Sequence, residues 1–556
     1  MHHRFFSPAA PENMRDSMNN SASHLPLTIQ QDQRFTAEFA EISEIYKTLF
    51  EDRNIDLIVY EGSDPTSGGA TVVENEVTFY PHHFSSALIG RFTITSKAQS
   101  AKNLSVFVSI PLVPTQGEEN SDGQAWQPIR KLRPIYNLSP ITYEKIRYLT
   151  EMRRRKLASK RHKWNSLAAR ARSLPDAGVV AQSQRASILI GFHFLEVGGA
   201  EKMAFDTVNF ALAAGLRVFV VASVAAIQRL AHKLPIHPDI KFIRLDRYLP
   251  AQYWPRYVEK LVKRENVRLI HIHHCNSLYD CLAHLRMTTP EVAVIDTTHI
   301  IEHSDGGFPR ISRVWSNLID LHHVISNQLM SFYHSNYYIS GKVKLGRMLP
   351  RSSEESLLPN VSMKARKTSL NLVFIGRYQY QKRPILLAYI MKNLAAWAKK
   401  NNVKIHSSFV GEGVMRPATE DLIRRFGLQG TVDFLPANTD VPELLRKSDI
   451  LLLPSNNEGL ALVCYEAIQQ GCIPISTDVG GQSEIIPADL LVPLSPSRTV
   501  RGMTSIVTKL WEDQTFIDRQ QSELHRMYKQ LSKDPTAADV LVPIYEAAAQ
   551  NKALPL

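Results

Sequence analysis

Apolar positions change their period along the chain. Phe35, Phe39, Ile42, Tyr46 and Leu49 recur at helical spacing and predict one amphipathic helix. From residue 55 the period shortens. Residues 55–62 (IDLIVYEG), 70–80, 87–97 and 104–114 read as short strands of a small antiparallel β-module, with a tight hairpin turn at Glu74-Asn75. A polar stretch, 114–124, leads away from it. From Ser187 strand and helix patterns alternate, with strands at 187–192 (SILIGF), 217–223, 241–245, 268–273, 292–298 and 322–326. A second run opens at Leu370, with strands at 370–376, 404–411, 431–436, 449–455, 472–478 and 490–494. These strands are apolar almost throughout, the pattern of strands buried on both faces of a parallel sheet. Two successive βα arrays predict an α/β fold of two doubly wound domains with a cleft between them, plus an N-terminal β-rich accessory module. The expected boundaries are a disordered N-terminus at 1–33, the β-rich module at 34–143, a basic helix and linker at 144–185, a first α/β domain at 186–366 and a second at 367–556. The last helix is expected to pack back on the first α/β domain.

Composition narrows the class. A chain of 556 residues with 44% hydrophobic residues, 25 Gly and 31 Pro is neither wholly disordered nor collagen-like. Cys275, Cys281, Cys464 and Cys472 form no CxxC pair. That argues against a disulfide scaffold, structural zinc and dithiol redox chemistry, and suits a reducing compartment. No apolar run approaches ~18 residues, and the first residues show no signal-peptide pattern. The expectation is a cytoplasmic protein. The net charge of +12 is local: residues 144–172 hold eleven Lys and Arg against two Glu, nine of the twelve charges. That stretch reads either as a solvated linker helix whose Leu149, Met152, Leu157 and Trp164 pack on a neighbour, or as a surface for anionic lipid. No nucleic-acid module accompanies it, so nucleic acid is not an expected partner.

Candidate chemistry sits at strand ends. After SILIGF come Gly198 and Gly199 and then a helical pattern; glycines let the backbone approach a ligand, and a helix N-terminus favours an anion. The second array opens FIGRYQYQKRP, placing Gly376, Arg377 and Lys382 just past a strand, where two cations suit a diphosphate. The segment LLLPSNNEGLALVCYEAIQQG carries Glu458 and Glu466, eight residues apart, around Gly459, Leu460, Ala461 and Leu462, which lead into a helix expected near Ala461. Ionised carboxylates accept from sugar or ribose hydroxyls. HIIEH (299–303) fits the HxxEH metal motif, which needs a helix, but a β-branched strand runs into it, so no metal is expected. HIHH (271–274) reads as a strand end, and Cys464 as a packing residue.

These elements together resemble the retaining glycosyltransferases of family four, the glycosyl transferases group 1, which have the GT-B fold of two Rossmann-like domains. The resemblance is carried by Glu458 and Glu466 with seven residues between, by VGG before Glu484, by Gly376, Arg377 and Lys382, and by GGAE at 198–201. It departs from the usual pattern at Arg383, where the family has Gly after the Lys, and at Leu460-Ala461 in place of an aromatic-Gly pair. The resemblance implies a nucleotide-diphosphate-sugar donor as co-substrate, with no cofactor and no metal. It also implies a glycan or lipid-linked acceptor, and work in polysaccharide or glycoconjugate synthesis on the inner membrane face. It implies that Arg377 and Lys382 neutralise the donor diphosphate, Glu458 holds the transferred sugar and Glu466 the ribose. Gly198 and Gly199 would approach donor phosphates or acceptor, and His299 would orient the sugar. The 186–366 domain would be the acceptor side and 367–556 the donor side. A non-catalytic scaffold of the same fold, and an epimerase or phosphorylase, remain alternatives; the Glu spacing disfavours the epimerase.

Overall fold

The computed structural model describes residues 33–62, 70–74, 88–96, 102–110, 126–158, 183–196, 199–302, 306–348 and 369–556. Most of the expected N-terminal tail, the second half of the expected Glu74-Asn75 turn and residues 159–172 of the basic stretch lie outside these residues. Two helices flank the N-terminal strands in sequence, α1 (Gln33–Leu49) before them and α2 (Pro140–Ala158) after them. The chain divides into two compact units. Unit 1 holds the described residues up to 110, those of 183–295, and 544–555; unit 2 holds those of 126–158, 296–543 and Leu556.

In unit 1, β1 (Arg53–Glu61), β2 (Thr71–Glu74), β3 (Leu88–Ile94) and β4 (Lys102–Ile110) form a sheet of order β2-β4-β1-β3. The outer pairs are antiparallel, but β1 and β4 run parallel through the centre. The expected antiparallel module is thus a mixed sheet. Alternating hydrophobicity marks which face a strand buries, not its direction or partner, so this pairing could not be read from it. Phe39, Ile42, Tyr46 and Leu49 of α1 are buried, as their spacing predicts. The Tyr46 hydroxyl donates to the Tyr248 carbonyl at 2.9 Å, and Arg244 N donates to Glu41 at 2.6 Å. These contacts tie α1 to the α/β part of the same unit. There β5 (Ser187–Phe192), β6 (Arg217–Ala222), β7 (Ile240–Ile243) and β8 (Val267–His273) are parallel in the order β8-β5-β6-β7. Helix α3 (Gly199–Ala213) follows β5. Tyr545 belongs to this unit, its hydroxyl at 2.5 Å from His271 Nδ1.

The unit boundary falls inside β9 (Ala293–Thr298). Beyond it, β10 (Leu321–Val324) pairs in parallel with β11 (Val343–Leu345), a short strand the apolar pattern does not announce. The second sheet holds β12 (Ser369–Ile375), β13 (Lys404–Val410), β14 (Val432–Leu435), β15 (Ile450–Leu453), β16 (Ile473–Thr477) and β17 (Leu491–Val492). All are parallel, in the order β14-β13-β12-β15-β16-β17. Numbered from β12 this is 3-2-1-4-5-6, the doubly wound Rossmann order, which opens a crevice outside the strand ends between its first and fourth strands. Helices α4 (Pro384–Asn401) and α5 (Leu462–Gln469) lie among these strands in sequence, and α6 (Pro496–Glu512) follows the last of them. The fold is therefore α/β, with two parallel Rossmann-like sheets and an N-terminal β-rich sheet. The basic helix starts at Pro140, earlier than expected; proline suits a first helical position because its missing N–H has no partner to lose there.

Candidate functional site

The candidate site lies in unit 2, on the loops after β12 and β15, the strands flanking the switch point. Gly376 and Arg377 follow Ile375, and a tight turn, Tyr380–Lys382, closes that loop. Residues 454–459 follow Leu453. The two loops are tied directly: Asn456 N donates to the Gln381 carbonyl at 2.7 Å, and Gln381 Nε2 donates to the Asn457 carbonyl at 2.8 Å. At their ends the Lys382 ammonium donates to Glu458 Oε1 at 2.6 Å. Glu458 is buried and Lys382 half-buried, so this charge-assisted bond forms largely away from water, where it is stronger. Arg377 is half-buried, and its guanidinium makes no ion pair among the described residues.

Glycines let backbone segments approach closely around Glu458. A Cβ on Gly459 would lie 1.7 Å from the His299 carbonyl oxygen. Gly480 has φ +60, and its Cβ would lie 1.9 Å from the Glu458 carbonyl. Gly481 N donates to the Gly459 carbonyl at 2.7 Å, and Asn457 Nδ2 donates to the Ile301 carbonyl at 3.0 Å. The Glu458-Gly459 peptide is thus held between segment 299–301 and the Gly480-Gly481 turn. His299 is buried; burial pushes its imidazole down to about 3, with nearby His323 acting in the same direction, so the ring is neutral at ordinary pH. Its carbonyl faces Gly459. Residues 299–302 form no helix, so the spacing of the HxxEH motif does not place its side chains on a helical face; His303 lies outside the described residues.

Leu460 and Ala461 are buried, and α5 begins at Leu462 with Ala461 as its extended N-cap residue. Glu466 lies in the second turn of α5, half-buried. Burial pushes the Cys464 thiol up to about 12, and it accepts from Gln482 Nε2 at 3.5 Å, as a packing residue does. Gly198 lies outside the described residues, and Gly199 opens α3 in unit 1. His271 and His273 are buried in the same unit, His273 Nε2 lying 3.0 Å from Thr207 Oγ1.

Three features of unit 2 have structural roles that the sequence alone does not show. Asn456 and Gln381, neutral residues with no charge pattern to distinguish them, link the loops. Arg383 adopts φ +52, a conformation glycine takes most easily. Its buried guanidinium donates to the Leu494 carbonyl at 2.8 Å, so the arginine anchors a turn that glycine would leave free. Glu484 accepts from Asn327 N (3.1 Å) and Gln328 N (2.9 Å) and pairs with buried Arg347, which makes it a fastening residue.

A parallel α/β sheet with a carboxylate–ammonium pair and a further arginine at its switch point defines a Rossmann-type protein with charges of both signs where this fold class binds ligands. Residues 361–533 match the family described as Glycosyl transferases group 1. The chain is 23% identical to the phosphatidylinositol N-acetylglucosaminyltransferase gpi3 subunit of Schizosaccharomyces pombe, over 61% of this chain and 76% of that protein. It is 25% identical to the D-inositol 3-phosphate glycosyltransferase of Gordonia bronchialis, over 47% of this chain and 56% of that protein. Among solved structures it is similar to a glycosyltransferase from Rickettsia africae, with TM-score 0.47 and 15% identity over 66% of this chain and all of that one.

Proposed function

We propose that this chain moves a sugar from a nucleotide-diphosphate sugar to an acceptor hydroxyl with retention of configuration, in the synthesis of a cell-surface polysaccharide or glycoconjugate. The observation that carries this reading is the Lys382–Glu458 pair at the switch point, with Arg377, which makes no ion pair among the described residues, on the same loop as Lys382. Arg377 and Lys382 take up the charge of the diphosphate as the bond between sugar and phosphate breaks. Glu458 accepts from hydroxyls of the transferred sugar, and Glu466 from the ribose. The acceptor hydroxyl attacks the face the diphosphate leaves, and its proton passes to a departing phosphate oxygen. Gly376, Gly459, Leu460, Ala461 and Leu462 let the backbone come near the donor. His299, kept neutral, orients the sugar. Catalysis of this kind is chiefly electrostatic and positional.

The acceptor in this reading is a hydroxyl of a lipid-linked molecule or a glycan, and the name of the Schizosaccharomyces pombe relative supports the lipid-linked class. The exposed cations of α2, Lys145, Arg153, Arg154 and Lys156, support contact with an anionic membrane from the cytoplasmic side. Among the described residues no helix is long and apolar enough to cross a membrane. A thermal-shift screen with UDP-, GDP- and ADP-sugars tests the reading. Ligand at about 100 times its Kd stabilises by roughly 2.7 kcal/mol. One nucleotide class is expected to raise the melting temperature, and Glu458→Gln and Arg377→Ala to abolish that rise and the sugar transfer. No response to any nucleotide sugar, with transfer unaffected by both substitutions, would sink it.

A further inference from the structure

Helix α2 lies far from the site in sequence and touches both of its loops in unit 2. Glu144, Arg147, Glu151 and Arg155 are spaced by three, four and four residues, which puts them on one helical face. The Arg147 guanidinium sits 3.4 Å from the centroid of the Tyr380 ring, a cation–π contact at the turn that ends in Lys382. Arg155 pairs with Glu151, one turn earlier, Nε lying 3.0 Å from Oε1. Arg155 Nη2 donates to Asn456 Oδ1 at 3.2 Å and lies 3.4 Å from the Asn456 carbonyl. Asn456 Nδ2 returns a bond to Glu151 Oε2 at 3.2 Å. The Glu151–Arg155 pair thus holds both the donor and the acceptor end of the Asn456 amide. Asn456 in turn holds the Gln381 carbonyl through its own N–H. One helical face therefore fixes Tyr380 and Asn456, each two residues before a member of the Lys382–Glu458 pair. None of these bonds falls on the pair itself.

We propose that α2 sets the geometry of the Lys382–Glu458 pair, with Arg155 as a positioning residue that acts through Asn456; this rests on the reading of that pair as the donor site. Loops at strand ends are mobile unless something holds them. A site that must meet a diphosphate and a sugar together needs its groups placed within about 0.5 Å. The clamp comes from outside the β12–β17 array, from the segment between the N-terminal sheet and the first βα array. It gives that segment a task in donor recognition separate from its exposed charge.

The test compares Arg155→Ala, Asn456→Ala and the double variant with Arg154→Ala, an exposed neighbour on the same helix. Donor affinity is read by calorimetry with UDP-N-acetylglucosamine, UDP-glucose, GDP-mannose and ADP-glucose, alongside the ligand-free melting temperature. Misplacement of a site by a remote change reduces its function by about ten- to a hundred-fold, and a loss of that order in donor affinity is expected of either single variant. The double variant should lose no more than the worse single, because both break one link. Arg155→Lys, which keeps the charge and one donor, should recover part, and Arg154→Ala should match the parent. Arg155→Ala binding donor as Arg154→Ala does, or lowering only the ligand-free melting temperature, overturns the proposal. Glu458→Gln and Arg377→Ala in the same titration separate the two ideas. If they too leave affinity unchanged, the donor-site reading itself fails; if they abolish it while Arg155→Ala does not, only the positioning role fails. A parent chain that binds none of the four nucleotides overturns both.

Discussion

Single residues at the site are constrained chiefly by backbone proximity. Gly459 and Gly376 flank the same site, yet their surroundings differ. A methyl on Gly459 collides with the His299 carbonyl, a backbone atom that cannot step aside alone. A methyl on Gly376 meets the Lys382 Cε at 3.4 Å, an ordinary contact with a flexible side chain. Gly459→Ala is therefore expected to destabilise by about 1–3 kcal/mol, as overpacking does, and to disturb the Glu458 peptide it belongs to. Gly376→Ala should leave the melting temperature nearly unchanged. Thermal unfolding of the two variants side by side checks this, and equal melting temperatures would mean that segment 299–301 yields without penalty. Arg383 is the converse case. There a non-glycine residue accepts a left-handed φ because its guanidinium is fixed to the Leu494 carbonyl.

Among the elements, α2 carries a pH-sensitive group. Glu144 is buried on its inner face, and neither carboxylate oxygen accepts a hydrogen bond among the described residues. Burial pushes its pKa up to about 7, against the partial relief of Arg147 and Arg383. The folded protein then binds more protons than the unfolded chain, so stability falls as pH rises from about 4.5 to about 7 and is level above that. Glu144→Gln should be near neutral at pH 4.5 and stabilising above pH 7, by about 1–3 kcal/mol, since each tenfold change in proton affinity is worth about 1.36 kcal/mol. Melting temperatures of parent and variant at the two pH values check it; a difference independent of pH would refute it. This buried face also marks how far the sequence could be read. Strands such as SILIGF and DILLLPS were legible because an unbroken apolar run has few homes outside a parallel sheet, and the loop residues Arg377, Lys382 and Glu458 were legible because they stand at the ends of such runs. The mixed pairing of β1 with β4 was not, because direction leaves no trace in alternation. Nor was the division of α2 into two faces, because arginines on both sides of a helix read as one basic run. Asn456 stayed hidden for a related reason: what matters is the two carboxamide ends it offers to Glu151 and Arg155, and those partners lie some 300 residues earlier.

For the molecule as a whole, nine of the twelve net charges lie in residues 144–172, which read either as a solvated linker helix or as a surface for anionic lipid. The helix divides that charge. Arg147 and Arg155 turn inward to Tyr380 and Asn456. Lys145, Arg153, Arg154 and Lys156 are exposed, and Leu149 and Leu157 are exposed among them. Exposed cations gathered on a helix attract anionic headgroups, the contact proposed above for this face. Each cation near such a surface contributes about 1 kcal/mol, so replacing all four by Gln should reduce partition onto anionic vesicles by up to about a thousand-fold at 1.4 kcal/mol per factor of ten. Added salt should weaken the parent's binding in the same direction. Because the contacts that hold Tyr380 and Asn456 come from Arg147, Glu151 and Arg155, donor affinity should be unchanged in that variant. Co-sedimentation with phosphatidylcholine vesicles, with and without phosphatidylserine, measures the first effect, and donor titration the second. Equal sedimentation of parent and quadruple variant would reduce the exposed face to a solvated one. Loss of donor affinity in that variant would mean that the two faces of α2 do not act independently.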